Sequence, residues 1–158
     1  MKPENFDLAI QHTLSQYGSG TQVQLLSARD EHLPRPPYGL SAVTVIVAPV
    51  AEHTPTHAET WYYGGFIHKG ASPVPVGVRP IDGKRLISAR DAARKLPPGF
   101  PLTEASCSLS WVIYPGVNEP AYHFSHRHMT VRIGGYTGQV LEVDPLRSSW
   151  REARSLSA

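Results

Sequence analysis

The order of its segments predicts an α+β fold for this chain of 158 residues, with an antiparallel sheet and helices packed on one face. Two amphipathic helical patterns begin near residues 3 and 88, and each is followed by several short strand-like runs. Only short turns separate those runs, which favours antiparallel pairing with the helices on one side of the sheet. Because helix-then-strands occurs twice, the chain could contain two similar helix-plus-strands units.

The first helix is predicted over PENFDLAIQHTLSQYG. Pro3 suits its first turn and Gly18 suits its end. One side carries the apolar residues expected to face the sheet, which are Phe6, Ala9, Ile10, Leu14 and Tyr17.

The second helix is predicted over LISARDAARKLPPG. Ser88 can cap it, Asp91 follows three residues later, and Pro97-Pro98-Gly99 stops it. Its narrow face of small residues can pack closely on a sheet.

Strands are predicted wherever apolar residues alternate or run together. LSAVTVIVAPV is apolar on both sides and indicates a central strand. ETWYYGGFIHKG is predicted as one strand, in which Gly64-Gly65 indicates a bulge or a close approach by a neighbouring backbone. The other strand runs are TQVQLLSA, SCSLSWVIY and the stretch YHFSHRHMTVRIGGYTGQVLEV. PRPPYG must be a loop, and SPVPVGVRP is expected to be an edge or a linker, because prolines remove ladder donors.

We expect a single domain over residues 1–158. The repeated order would divide it into units at 1–80 and 81–145, followed by a tail at 146–158 that could form a short helix around Trp150.

Composition excludes several classes of protein. A formal charge of +2 and scattered basic residues argue against nucleic-acid binding. Cys107 is the only cysteine, so neither an intrachain disulfide nor a Cys-based zinc cluster can form, and a buried structural role is expected. No apolar leader or membrane-length segment is apparent, which predicts a cytoplasmic protein without membrane partners, or an exported one if a signal peptide has been removed.

The stretch from Tyr122 to Val143 contains three histidines, and its apolar face changes parity between Phe124 and Met129. The chain must therefore reverse at Ser125-His126-Arg127-His128, where the histidines would be exposed. His126 and His128, with His123, could share a metal, but a mobile turn holds ligands poorly and we expect solvated side chains and no cofactor. The spacing of His53, His57 and Glu59 matches no metal signature either.

Catalytic signatures are not found in the sequence. There is no nucleophile elbow, no P-loop and no glycine-rich dinucleotide motif, so no catalytic residue is assigned. A site assembled from distant residues stays open.

The second half combines a helix that opens with Ser and contains Ala-Ala, a strand with a Trp, a Pro-x-Tyr-x-Phe run and an apolar strand ending in Tyr-Thr-Gly-x-Val. The residues of this pattern are Ser88, Ala92, Ala93, Trp111, Pro120, Tyr122, Phe124, Val131, Ile133, Tyr136, Thr137, Gly138 and Val140. Over about its last 60 to 70 residues before the tail, the chain therefore resembles the PepSY-type domain, with Gly134-Gly135 where that family commonly has an acidic residue. The resemblance implies a cystatin-like arrangement and a role in binding or inhibiting other proteins, notably peptidases.

These observations predict a non-catalytic module that binds another protein, as an inhibitor or immunity-type protein. The alternative is an enzyme or small-ligand binder with a pocket between sheet and helices, lined by tyrosines and by His68 or His123. For a protein-binding module, the predicted partner-binding residues are Trp61, Tyr63, His126, His128 and Tyr136. Trp61 and Tyr63 share one face of their strand, which favours a place in the core for these two.

Overall fold

The computed structural model describes residues 2–32, 41–64, 67–111, 115–127 and 129–145. These residues form two α-helices, one 3-10 turn (Leu102–Glu104) and nine strands. The helices are α1 (Pro3–Ser15) and α2 (Ala89–Ala93), and the strands are β1 (Gln22–His32), β2 (Ser41–Ala51), β3 (Thr54–Pro55), β4 (Ala58–Tyr63), β5 (Ile67–Ser72), β6 (Ser106–Trp111), β7 (Pro120–His126), β8 (Met129–Gly134) and β9 (Val140–Pro145).

All nine strands belong to one antiparallel sheet. Their order is β5-β4-β2-β1-β6-β7-β8-β9, with β3 paired to β2. Strands from residues 22–72 occupy one half and strands from 106–145 the other, and the two halves meet where β1 pairs with β6. One sheet therefore runs through both halves of the sequence.

The predicted fold class is wrong. The described residues are mostly a nine-stranded antiparallel sheet with two helices of only 13 and 5 residues, and not the predicted α+β, cystatin-like arrangement. The second helix ends after Ala93, although the sequence pattern extends to Leu96. The Lys95 and Leu96 amides donate instead to the carbonyls three residues earlier, those of Ala92 and Ala93. The sequence pattern predicted too many helical residues, because the turns between Ala93 and Pro97 have the same apolar spacing as a helix.

The core lies on one face of the sheet, called here the inner face. Strand alternation places β-branched and aromatic residues there, and Phe6 and Ile10 of α1 pack against them. The buried strand residues are Leu25, Ala28, Val43, Val45, Val47, Cys107, Leu109, Tyr122, Phe124, Val131 and Ile133.

The outer face carries the alternate residues of the same strands. It is mainly polar and half-buried, as at Thr44, Ser108 and His123. A shift of register between Leu25 and Ser27 turns Leu26 away from the core, and Leu26 packs instead with Ala48 and Ala58. Leu26 and Ile46, which packs against this small second cluster, line the groove described below.

The structure confirms the Ser88 cap and the histidine hairpin but not the bulged strand. The Ser88 side chain caps α2 by accepting the amide of Asp91 at 3.0 Å, as predicted. The chain reverses between His126 and Met129, which pair, so the predicted histidine hairpin is confirmed. The segment predicted as one bulged strand is instead a hairpin, since Tyr63 pairs with Ile67 across it.

Some expectations lie outside the described residues. They are the loop PRPPYG, Gly65 of the predicted bulge, the end of the run SCSLSWVIY beyond Trp111, and the tail with Trp150. Among the described residues, no helix combines the length and the apolar character needed to cross a membrane.

Candidate functional site

Trp61 and Tyr63 lie side by side on β4, where they attach α1 to the sheet. Their rings stack with centroids 6.5 Å apart. The Trp61 indole donates to the Tyr17 hydroxyl at 3.0 Å, and the Tyr63 hydroxyl bonds the Thr13 hydroxyl at 2.6 Å. Both residues are half-buried, and these contacts with Tyr17 and Thr13 use part of their surface within the protein.

Glu59 is the centre of this attachment. Its carboxylate, 8% exposed, accepts hydrogen bonds from Tyr17, from Lys69 at 2.9 Å and from the His57 ring at 2.9 Å. Burial raises the pKa of Glu59, but the hydrogen bonds from Tyr17, Lys69 and His57 outweigh burial and lower it to about 2. Sequence spacing left His57 and Glu59 without a role, and the structure shows that they form a charged, hydrogen-bonded network.

The histidines do not converge. His123 and His126 are three positions apart on the extended strand β7, so their side chains leave opposite faces of the sheet. The His126 ring, predicted to be exposed, is only 15% exposed and lies 3.2 Å from Glu104. His128 lies outside the described residues.

The His123 ring accepts a hydrogen bond from Arg132 at 3.2 Å, and Arg132 pairs in turn with Glu142. Burial and the nearby Arg132 charge lower the pKa of His123 to about 4. Within the described part of the chain, no three His, Cys, Asp or Glu side chains are placed to hold a metal ion. His53 sits in the turn after β2 with a left-handed φ of 66°.

A groove opens on the outer face where segment 75–79 passes near β1, β2 and β6. Its volume is about 510 Å³. The side chains on its walls are mostly apolar, with two serines and one arginine. The lining residues are Leu26, Ser27, Ile46, Pro75, Gly77, Val78, Arg79, Ser110, Trp111 and Val117. Val76, between two lining residues, is fully exposed.

Beside the groove, two arginines and two aromatic rings form a row that we call the arginine–aromatic ladder. Arg79 lies over the Trp111 ring at 4.3 Å, and Arg85 lies over the Tyr136 ring at 4.3 Å. The two rings meet edge to face with centroids 6.2 Å apart. Both arginines are exposed and both rings are half-buried, so the ladder forms part of the protein surface.

Hydrogen bonds hold the segment that carries the two arginines. The Trp111 indole donates to the Pro80 carbonyl at 2.9 Å, and the Ile81 amide donates to the Leu25 carbonyl at 2.7 Å. The Asp82 amide donates to the Tyr136 hydroxyl at 2.9 Å. The segment is therefore positioned by the sheet before any ligand arrives.

Glu119 holds the turn that presents Tyr136. Its carboxylate, 9% exposed, accepts the amides of Tyr136 and Thr137 at 2.9 Å each and the Thr137 hydroxyl at 2.7 Å. A Cβ on Gly134 would lie 2.5 Å from the Glu119 carboxylate, so glycine leaves room for it. The acidic residue at this turn is thus Glu119, which comes directly before β7 and not from the turn itself.

Of the predicted partner-binding residues, only Tyr136 lies in the ladder. Trp61 and Tyr63 attach α1, and His126 lies near Glu104 at another end of the sheet. Sequence reasoning missed Arg79 and Arg85 and named Trp111 only among the residues that match the family pattern. The signal available was the segment PVPVGVRPIDGKR, in which exposed valines and cations alternate with prolines, but its aromatic partners come from distant strands.

No family model, characterised protein or solved structure matches the chain in comparisons of sequence and structure.

Proposed function

We propose that this protein is a non-catalytic module that binds another protein through the groove and the arginine–aromatic ladder. The observation that carries the proposal is the ladder, because Trp, Tyr and Arg are the residue types that dominate binding energy at interfaces. Exposed Val76 and Val78 add apolar contact area next to it.

The rigidity of the surface supports an inhibitor or immunity-type role. Hydrogen bonds from Trp111, Ile81 and Asp82 fix the segment from Pro80 onward. A prearranged surface loses little conformational entropy on binding, which favours tight association. The PepSY-type resemblance points the same way, and a cytoplasmic location stays a prediction.

The alternative is a small ligand in the same groove, since about 510 Å³ is within the range of small-molecule sites. The sequence reading placed such a pocket under the helices. There Phe6, Tyr122 and Phe124 are fully buried, and smaller clefts of about 160 and 480 Å³ lie beside Leu14 of α1.

The test is affinity capture of partners from lysate of the source organism, comparing the native protein with Val76→Asp. A charge on this exposed valine should not disturb folding, yet it should reduce recovery of the partner about tenfold, equivalent to roughly 1.4 kcal/mol. Leu8→Asp is the matched control, because Leu8 is an exposed apolar residue on α1, 60% exposed.

Equal loss in both variants, or no loss in Val76→Asp, would contradict the proposal. A small molecule retained by the protein in native mass spectrometry, with no protein captured, would favour the alternative. Trp61→Ala is unsuitable as a binding variant because it removes the bond to Tyr17.

A further inference from the structure

The two arginines of the ladder lie within a short distance of each other. Links of 4.3, 6.2 and 4.3 Å join Arg79, Trp111, Tyr136 and Arg85 end to end, so the guanidinium carbons are less than about 15 Å apart. An extended peptide advances about 3.3 Å per residue, so two of its side chains up to about four residues apart could reach both arginines.

The exposed charge along the segment that carries both arginines is mainly positive, since the nearby Glu119 carboxylate is only 9% exposed and already accepts the Tyr136 and Thr137 amides. Segment 79–85 contains Arg79, Lys84 and Arg85 against the single carboxylate of Asp82, a net +2 that equals the formal charge of the whole chain. That carboxylate already accepts the Lys84 amide at 3.0 Å. Among the described lining residues of the groove there is no acidic side chain.

We infer that the partner binds this site with an extended acidic segment of its own chain. Two carboxylates, up to about four residues apart, pair with Arg85 and Arg79, and an apolar side chain next to the second carboxylate enters the groove that Arg79 lines. The inference rests on the proposed function and names the chemistry of the partner.

Arginine stacked on an aromatic ring suits this task. Its planar fork binds a carboxylate through two parallel hydrogen bonds, and the ring beneath fixes the plane of the fork. A nucleic-acid strand fits less well, because the groove beside Arg79 is lined mainly by apolar side chains, among them Leu26, Ile46 and Val78, which match apolar side chains better than a sugar–phosphate chain. An acidic peptide with an apolar side chain would contact both the arginines and the apolar walls of the groove.

The experiment selects displayed random peptides on the full-length protein and measures the enriched peptides by fluorescence polarisation. We expect enriched sequences to combine two acidic residues with a bulky apolar residue. Binding should weaken at least tenfold in the double variant Arg79→Gln with Arg85→Gln, and also when the acidic residues of the peptide become Asn or Gln. Added salt should weaken it as well, since the paired charges are partly solvated.

The matched control is the double variant Arg90→Gln with Arg94→Gln. These arginines lie at α2 with side chains 60% and 64% exposed, outside the ladder, and their loss should leave peptide affinity unchanged. Melting temperatures of both double variants verify that each is folded.

The inference is overturned if neutral peptides bind equally well, if both double variants lose affinity alike, if no peptide is enriched, or if a single-stranded oligonucleotide binds more tightly than the peptides. The Val76→Asp capture separates this failure from that of the proposed function. If the Val76→Asp variant no longer captures a partner but the Arg79 and Arg85 substitutions do not change its capture, the proposed function stands and only the acidic segment is contradicted.

Discussion

Glu59 joins three elements through one carboxylate. Tyr17 follows α1, Lys69 lies on β5, and His57 precedes β4, and all three side chains donate to it or pair with it. A carboxylate with this many donors is stabilised in its charged form, which is why its pKa falls although burial acts in the opposite direction.

The stability of the protein should therefore depend on the ionisation of Glu59 in acid. Its folded pKa of about 2 lies below the ordinary 4.5, so the contribution is complete above pH 4.5 and is lost as the pH falls toward 2. We expect a loss on the order of 3 kcal/mol across this window. In Glu59→Gln this part of the pH dependence disappears, and the variant is already less stable at neutral pH.

Urea unfolding at a series of pH values measures this effect. Glu104→Gln is the control, because the Glu104 side chain is 73% exposed and its pair with His126 should contribute at most about 1 kcal/mol. A pH profile of Glu59→Gln that parallels the native protein from 4.5 to 2 would show that Glu59 is not the source.

At the scale of elements, the turn from β8 to β9 depends on a close approach of Glu119 to Gly134. A Cβ at this position would lie 2.5 Å from the Glu119 carboxylate and 2.6 Å from the Thr137 hydroxyl. Both oxygens are fixed by their own hydrogen bonds, so neither can move without breaking one.

Gly134→Ala should destabilise the protein by about 2 kcal/mol, because the added methyl group overpacks this site. Thermal and urea unfolding give the value. Gly70→Ala is the matched strand control, since nothing lies within 4 Å of a Cβ built there. Similar stabilities for the two variants would show that the Glu119 carboxylate can move away from the added methyl group without a loss of folding free energy.

At the scale of the whole molecule, one core crosses both halves of the sheet. Val45 and Val47 on β2 belong to the same buried cluster as Tyr122 and Phe124 on β7. Since the halves share this cluster and the β1–β6 pairing, neither should keep its packing alone.

We expect both halves to unfold together. Fluorescence of Trp61 reports on the first half and that of Trp111 on the second, in variants in which Phe replaces the other two tryptophans. The two urea midpoints should coincide after allowance for the stability of each variant, as in two-state unfolding. Separate midpoints within one variant, seen by fluorescence and by circular dichroism, would show two independent units over residues 1–80 and 81–145.

The sequence by itself determined α1, the Ser88 cap, the central position of β2 and the reversal at the histidine hairpin. Each depends on neighbours close in the chain: helical spacing, a capping side chain, apolar residues on both sides of a strand, and a change of parity. The sequence pattern also predicted too many helical residues. It placed β4 and β5 in one continuous strand, because the pair Gly64-Gly65 is compatible with a bulge as well as with a turn.

Only the tertiary structure decided how the strands join into one sheet and which residues meet at its surface. Arg79, Arg85, Trp111 and Tyr136 are spread over nearly 60 residues, and no local pattern relates them. Strand pairing, the Glu119-held turn and the bonds that position Pro80 and Ile81 bring them together. Local residue preferences can be inferred from the sequence, whereas contacts between distant residues depend on the packing of the whole chain.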